Sequence, residues 1–388
     1  MMFARLISIV VVALMLSEPV PGAEASQVEQ SVFSLNEAIR QGVVNWRANP
    51  EWPTGTQGQI DRIAALAPGL IYKVGIRNAW GRMGHQDIAR AASIYGALRR
   101  AMPRAIFGIG LNETVLKDYD ETLNCPAPLG DTQFRATAMT KPNEPLLGGT
   151  GWLDLAMPAA RDFYLCQGKM FFRIGFTLIH FEEMENVIAH SSSPGAAWNN
   201  YLAIIKTLRA FADAAGRKIY FSGDPGPSGK GMPLDAVYAP SRFFHTTIPA
   251  YVKFQNKIAR PGIGDDYSYT LSGKLIRAIK AEASSDARVF FYVDNWDPRQ
   301  DDLRRMMELD PINRRFLITS SAEAAHQGGV YFIPSLDHCD GCVPPEAVGD
   351  QCEILPGTRK SEYDAFRCGD VGAIQEALDL QSPDRALH

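Results

Sequence analysis

The chain has 388 residues, 46% of them hydrophobic, with a formal net charge of −4 at pH 7 and 21% charged residues. That is enough apolar material for a large buried core, and a near-neutral balance that argues against a nucleic-acid partner, which would favour a basic face. After the first residues no stretch is long and apolar enough to span a bilayer.

The chain starts with one cation, Arg5, an apolar run from Leu6 to Leu16, the breakers Pro19, Pro21 and Gly22, and the small residues Ala23 and Ala25. These are the three parts of a secretory signal, with cleavage expected after Ala25 and a secreted or periplasmic product. The run is shorter than the roughly 20 residues a membrane span needs, so no stable span is expected after cleavage. From about Ile60, short β-rich runs alternate with helical stretches, the pattern of a parallel sheet with crossover helices. The predicted strands are Leu70 to Ile76, Ala105 to Leu111, Trp152 to Leu155, Thr177 to Phe181, Lys218 to Ser222, Arg242 to Thr246, Val289 to Val293 and Phe316 to Thr319. Helices are predicted over His85 to Ala101, Pro158 to Arg173, Ala197 to Ala215, Ser272 to Ala283 and Pro298 to Met307. Eight strands in such an order predict an α/β fold of the (β/α)8 barrel type over residues 26–335. Gly- and Pro-rich insertions lie at Cys125 to Gly151 and Gly223 to Pro233, and residues 336–388 read as a cysteine-rich extension.

Six cysteines suit an oxidising compartment. Cys339, Cys342, Cys352 and Cys368 suggest two local bridges in the extension, with Cys125 and Cys166 as a further pair. A zinc knot is the alternative for the four, but their second half lacks the paired spacing of common zinc sites. No cofactor is expected. Gly108 and Gly110 lack the third glycine of a dinucleotide loop, Gly229-Lys230 lacks the glycine that opens a P-loop, and neither H-E-x-x-H nor G-x-S-x-G occurs.

Barrel active sites use the C-terminal ends of the strands. The polar residues there are Arg77, Asn78 and Trp80, then Asn112 and Glu113, Asp154, His180, Glu182 and Glu183, Asp224, His245, then Asp294, Asn295, Trp296 and Asp297, and finally Ser320, Ser321 and Glu323. Carboxylates, amides and tryptophans dominate, as sugar chemistry requires. One acid protonates the leaving oxygen and a second carboxylate attacks the sugar or activates water, while aromatic faces stack on sugar rings.

The segment Trp152 to Glu183, WLDLAMPAARDFYLCQGKMFFRIGFTLIHFEE, joins a short strand, a Pro158-initiated helix, a Gly175-Phe176 turn and an apolar strand ending in two acids. It resembles the glycoside hydrolase superfamily of (β/α)8 barrels, in which such a strand, the fourth, delivers the catalytic carboxylate. Two features depart from the family pattern: Glu182 stands where an Asp is common, and an Asn-Glu pair falls at Asn112-Glu113 rather than on the fourth strand. Alternation puts Leu178, His180 and Glu182 on one face and Ile179, Phe181 and Glu183 on the other. The resemblance implies Glu182 as the catalytic carboxylate, with Asp294 or Asp224 as its partner and Glu183 as a weaker candidate. Arg77, Asn78, Trp80, Asn112, Glu113, His180, His245, Asn295 and Trp296 would bind a polysaccharide or oligosaccharide. Two rival readings stay open: a non-catalytic carbohydrate-binding barrel of the cell envelope, and a metal-dependent hydrolase built on His180, Asp224, His245 and Asp294.

Overall fold

The computed structural model of the protein describes residues 32–48, 55–76, 83–141, 149–223, 245–250, 288–293, 311–329, 331–343, 361–366 and 368–382. The expected signal segment lies outside them. The described residues open with α1 (Leu35–Arg40), β1 (Val43–Ala48), α2 (Gly55–Ala65), β2 (Leu70–Ile76), α3 (His85–Ala101) and β3 (Ile106–Leu111). An excursion follows, made of β4 (Thr114–Leu116), β5 (Asp120–Cys125), β6 (Gly130–Arg135), α4 (Ala136–Met139) and β7 (Thr150–Trp152). The alternation resumes with α5 (Pro158–Ile174), β8 (Leu178–Phe181), α6 (Met184–His190), α7 (Pro194–Ala214), β9 (Tyr220–Gly223), β10 (His245–Ala250) and β11 (Val289–Val293). Then come α8 (Pro311–Gly328), β12 (Tyr331–Ile333), β13 (Asp337–Val343), β14 (Ser361–Asp364) and α9 (Val371–Gln381).

Eight strands form one sheet in the order β1-β2-β3-β8-β9-β10-β11-β12, and every neighbouring pair is parallel. Asn45 in β1 also pairs in parallel with Ser335, just past β12. Its N–H donates to the Pro334 carbonyl at 3.0 Å, and its carbonyl accepts from Leu336 at 2.8 Å.

The count of eight agrees with the sequence reading, but its membership differs at three places. Phe316 to Thr319, expected as a strand, lies within α8, where Leu317, Ile318, Ala322 and Ala325 are buried at helical spacing. The true last strand is the three-residue β12. At the other end β1 was not anticipated. Trp152 to Leu155 contributes only to β7, which pairs antiparallel with β4 outside the main sheet. The predicted helices over 272–283 and 298–307 lie outside the described residues.

Local chemistry explains the segment that leads into β8. Pro158 opens α5, where its missing N–H costs nothing. Gly175 ends it with φ +129°, its N–H donating to the Phe172 carbonyl while Phe176 N–H reaches back to Phe171, each at 3.1 Å. That is a Schellman closure, which needs a residue free to take positive φ. A Cβ on Gly175 would also lie 2.1 Å from the Tyr95 ring. The excursion is tied down by the disulfide Cys125–Cys166, which anchors hairpin β5–β6 to α5, and by Lys169 Nζ, which donates to the Ala127 carbonyl at 2.8 Å. Among the described residues no cysteine is free, and Cys368 is disulfide-bonded.

Candidate active site

Phe181, at the end of β8, packs against Tyr164 of α5 and Tyr201 of α7, so it faces the helices. By alternation His180 faces the opposite side of the sheet. There His180 Nδ1 lies 2.8 Å from the Tyr72 hydroxyl of β2 and 3.0 Å from the Ser222 hydroxyl of β9. All three residues are buried, and Phe290 of β11 packs on Tyr72. Register places Gly110, His180, Ser222 and His245 in one row across β3, β8, β9 and β10. His180 thus lies near the C-terminal end of β8, whereas His245, expected at the end of a strand over Arg242 to Thr246, is the first residue of β10; the two share a level in the sheet, and a buried polar layer lies beneath the end of β8.

Glu182 is the next residue outward on the His180 face. Its Oε2 accepts from Lys73 Nζ at 2.8 Å, and the two side chains are 24% and 16% exposed, so the pair meets solvent at the rim of the buried layer. Lys73 was not anticipated as a site residue, since alternation from Tyr72 puts it on the helix side. A bulge reverses that. Val44 pairs with Ile71 and Trp46 with Val74, so Asn45 alone stands opposite both Tyr72 and Lys73. Two consecutive residues of a bulged strand can face the same way. Here they do: Tyr72 reaches His180 in β8, and Lys73 reaches Glu182 just past the end of that strand.

Strand β3 lies between β2 and β8, and its residues on this face are Gly108 and Gly110, paired with Leu178 and His180. Without side chains they let β2 and β8 meet across them. A Cβ on Gly110 would sit 1.9 Å from Glu182 Oε1, so the carboxylate lies directly over this glycine. Its repeated glycines, read in the sequence only as an incomplete nucleotide loop, make room for this contact.

Glu183 takes a left-handed conformation, φ 44° and ψ 37°, as β8 turns into α6, and its carboxylate accepts from Asn186 Nδ2. A non-glycine residue held in that region stores local strain of the kind that clusters at functional sites. Asn112 and Glu113 follow β3 and are buried. Asn112 N–H donates to Gln167 Oε1 at 3.3 Å, and the Glu113 carbonyl accepts from Leu153 at 3.0 Å. Burial holds the Tyr164 phenol well above its ordinary value, reinforced by the nearby Glu113 and Glu182 carboxylates. It therefore stays a neutral hydroxyl beside both acids. Asp154 is buried behind β7, with Oδ1 accepting from Ala156 N–H at 3.0 Å and Oδ2 without a protein partner among the described residues.

The structure thus brings together Glu182, Glu183, His180, Asn112 and Glu113 at adjacent strand ends. Arg77, Asn78, Trp80, Asp224, Asp294, Asn295 and Trp296 lie outside the described residues, and of His245 only the backbone is described. Among the described residues no three His, Cys, Asp or Glu side chains converge as metal ligands, and no helix is long and apolar enough to cross a membrane.

No protein-family model and no curated protein matches the chain. Its backbone is similar to several solved structures at low identity. One is the glycoside hydrolase domain of PelA from Pseudomonas aeruginosa, at 10% identity over 76% of this chain and 93% of that one, TM-score 0.45. Others are trehalose-6-phosphate hydrolase from Bacillus licheniformis (10% identity, 76% and 64% covered, TM-score 0.46) and isomaltulose synthase from Klebsiella sp. LX3 (11%, 76% and 65%, TM-score 0.43).

Proposed function

We propose that this chain is an exported glycosidase, a closed (β/α)8 barrel that cleaves a polysaccharide or oligosaccharide by paired-carboxylate chemistry with Glu182 as one of the pair. The observation that carries this reading is the placement of Glu182. It is a part-exposed carboxylate at the end of the fourth strand of an eight-stranded parallel sheet, held by Lys73 above a buried polar layer. Barrel closure is supported by the hydrogen bonds of Asn45 to Pro334 and Leu336 at the far edge of the sheet. Export is supported by the amino-terminal signal pattern and by the disulfide Cys125–Cys166, a bond of oxidising compartments.

Glycoside cleavage needs two carboxyl groups flanking the scissile bond, one as acid and one as nucleophile or base. Glu182 fills one role in this reading, and Asp224 or Asp294 the other. Trp80 and Trp296 suit stacking against ring faces, while His180, buried and bonded to Tyr72 and Ser222, suits ordering the strand end beneath the site.

The test is release of reducing ends from starch, cellulose, xylan, chitin, chitosan and pectin by the protein starting at residue 26, run beside Glu182→Gln. The expected result is turnover of at least one polymer and a loss on the order of 10²- to 10⁴-fold in the variant, the usual contribution of a general acid–base group. Equal turnover by the two proteins would remove Glu182 from the chemistry.

A further inference from the structure

We propose that Lys73 is a positioning residue for Glu182: the bulge in β2 and the glycine face of β3 exist together to clamp that carboxylate in one orientation. The inference rests on the glycosidase reading above and goes beyond it, assigning a role to a residue outside the acids and sugar-binding groups.

Three separate features converge on one contact. The first is the bulge, which turns Lys73 from the helix side to the His180 side of the sheet. The second is the glycine face of β3: a Cβ at Gly110 would occupy the place of the Glu182 carboxylate, and one at Gly108 would meet the Tyr72 carbonyl oxygen next to Lys73. The third is the anchoring of the bulge itself. Tyr72, the neighbour of Lys73, bonds His180 at 2.8 Å, and His180 lies two residues before Glu182 on the same strand. The geometry that delivers Lys73 is therefore tied to the strand that delivers Glu182. An incidental surface ion pair needs none of these features, and typically contributes little.

The clamp answers a specific need. A glutamate side chain has three rotatable bonds, and a reacting carboxylate must be held within about 0.5 Å of its productive position. Lys73 fixes Oε2 from one side while the bare Cα of Gly110 receives Oε1. With Oε2 bonded and Oε1 seated in the space over Gly110, the carboxylate is ordered before substrate arrives, and its ordering cost is met in folding rather than in catalysis.

Crystal structures of the wild-type protein, Lys73→Met and Lys73→Arg test the clamp, with kinetics on whichever polymer of the panel the wild type cleaves. Met keeps the length and apolar stem of lysine without the ammonium, whereas Arg restores a donor. The expected result is a Glu182 carboxylate displaced from Gly110 in Lys73→Met and retained in Lys73→Arg. With it, kcat should fall on the order of 10²-fold in the Met variant with KM little changed, and recover largely in the Arg variant. A Glu182 side chain unmoved in Lys73→Met overturns the proposal. So does full turnover by Lys73→Met where Glu182→Gln has lost it, a result that would leave the glycosidase reading intact. If the wild type cleaves none of the polymers, the glycosidase reading is what fails, and the position of Glu182 in the two variant crystals decides the clamp alone.

Discussion

One methyl group at Gly110 would meet Oε1 of Glu182 at 1.9 Å and its Cδ at 2.8 Å. The obstructed atoms are the tip of a flexible side chain, which can swing away without moving backbone. Gly108, two residues earlier, is a different case. There a Cβ would meet the Tyr72 carbonyl oxygen at 1.9 Å, a backbone atom that cannot yield cheaply. Gly110→Ala is therefore expected to fold with a stability change within about 1 kcal/mol while losing on the order of 10²-fold in turnover. Gly108→Ala is expected to be the less stable protein. Urea midpoints measured beside reducing-end release separate the two outcomes, and a Gly110→Ala enzyme with full activity would show that Glu182 can work from another position. The same contact explains why residue-level reading reached Glu182 and missed Lys73. Alternation along an ideal strand identifies the face of Glu182 correctly, but the direction of Lys73 depends on a bulge that Asn45 on the neighbouring strand helps to define.

At the scale of elements, the last two helices are joined through a buried ion pair. Arg314 in α8 donates through Nε to Asp370 Oδ2 at 2.9 Å and through Nη2 to the Cys368 carbonyl at 2.8 Å. Both charged side chains are only 2% exposed. Asp370 immediately precedes α9, whose Ala373, Ile374, Ala377 and Leu378 are buried along one stripe. Arg314→Met would leave the Asp370 carboxylate buried without its cation, and breaking such a pair typically costs about 3 to 5 kcal/mol. The expected signature is a lowered urea midpoint that Arg314→Met combined with Asp370→Leu partly restores, because replacing both charges removes the stranded one. An unchanged midpoint would mean that α8 and α9 are held by their apolar contacts alone. Apolar periodicity made several elements legible beforehand: α3 coincides with the predicted His85 to Ala101, and β2 and β11 match their predicted bounds. It failed for Phe316 to Thr319, where three β-favouring residues around Leu317 read as a strand although their neighbours continue a helical stripe.

For the whole molecule, alkaline pH offers a test of how its tyrosines are buried. Burial, then the nearby Glu121 and Asp87, pushes the Tyr119 phenol well above its ordinary value of 10.0, and its hydroxyl donates to the Met83 carbonyl at 2.6 Å. Tyr164 is raised in the same direction by burial, Glu113 and Glu182. In the unfolded chain both phenols ionise near the ordinary value. The stability they contribute is thus fully present below about pH 10 and is lost progressively as pH rises above it. The urea midpoint should hold below about pH 10 and fall as pH rises to about 11 and beyond, and Tyr164→Phe should show a shallower fall. Absorbance of tyrosinate should also show these two phenols ionising only with unfolding. A Tyr164→Phe protein with the same pH dependence as wild type would contradict the buried placement of this ring.

The sequence by itself determined the alternating α/β pattern, the helix and Gly175 turn that lead into β8, and the emergence of His180 and Glu182 on one face. Each of these follows from local causes: apolar spacing, a proline at a helix start, a glycine at positive φ, and two-residue alternation in a strand. Only the tertiary structure decided that β1 and β12 complete the sheet: β12 is three residues long, too short to show alternation, and both take their place from the strands they pair with. It likewise decided that Lys73 turns toward Glu182. A side chain's direction at a bulge is a property of two paired strands, and the room it needs comes from a third, β3, whose glycines carry no sign of what will lie above them.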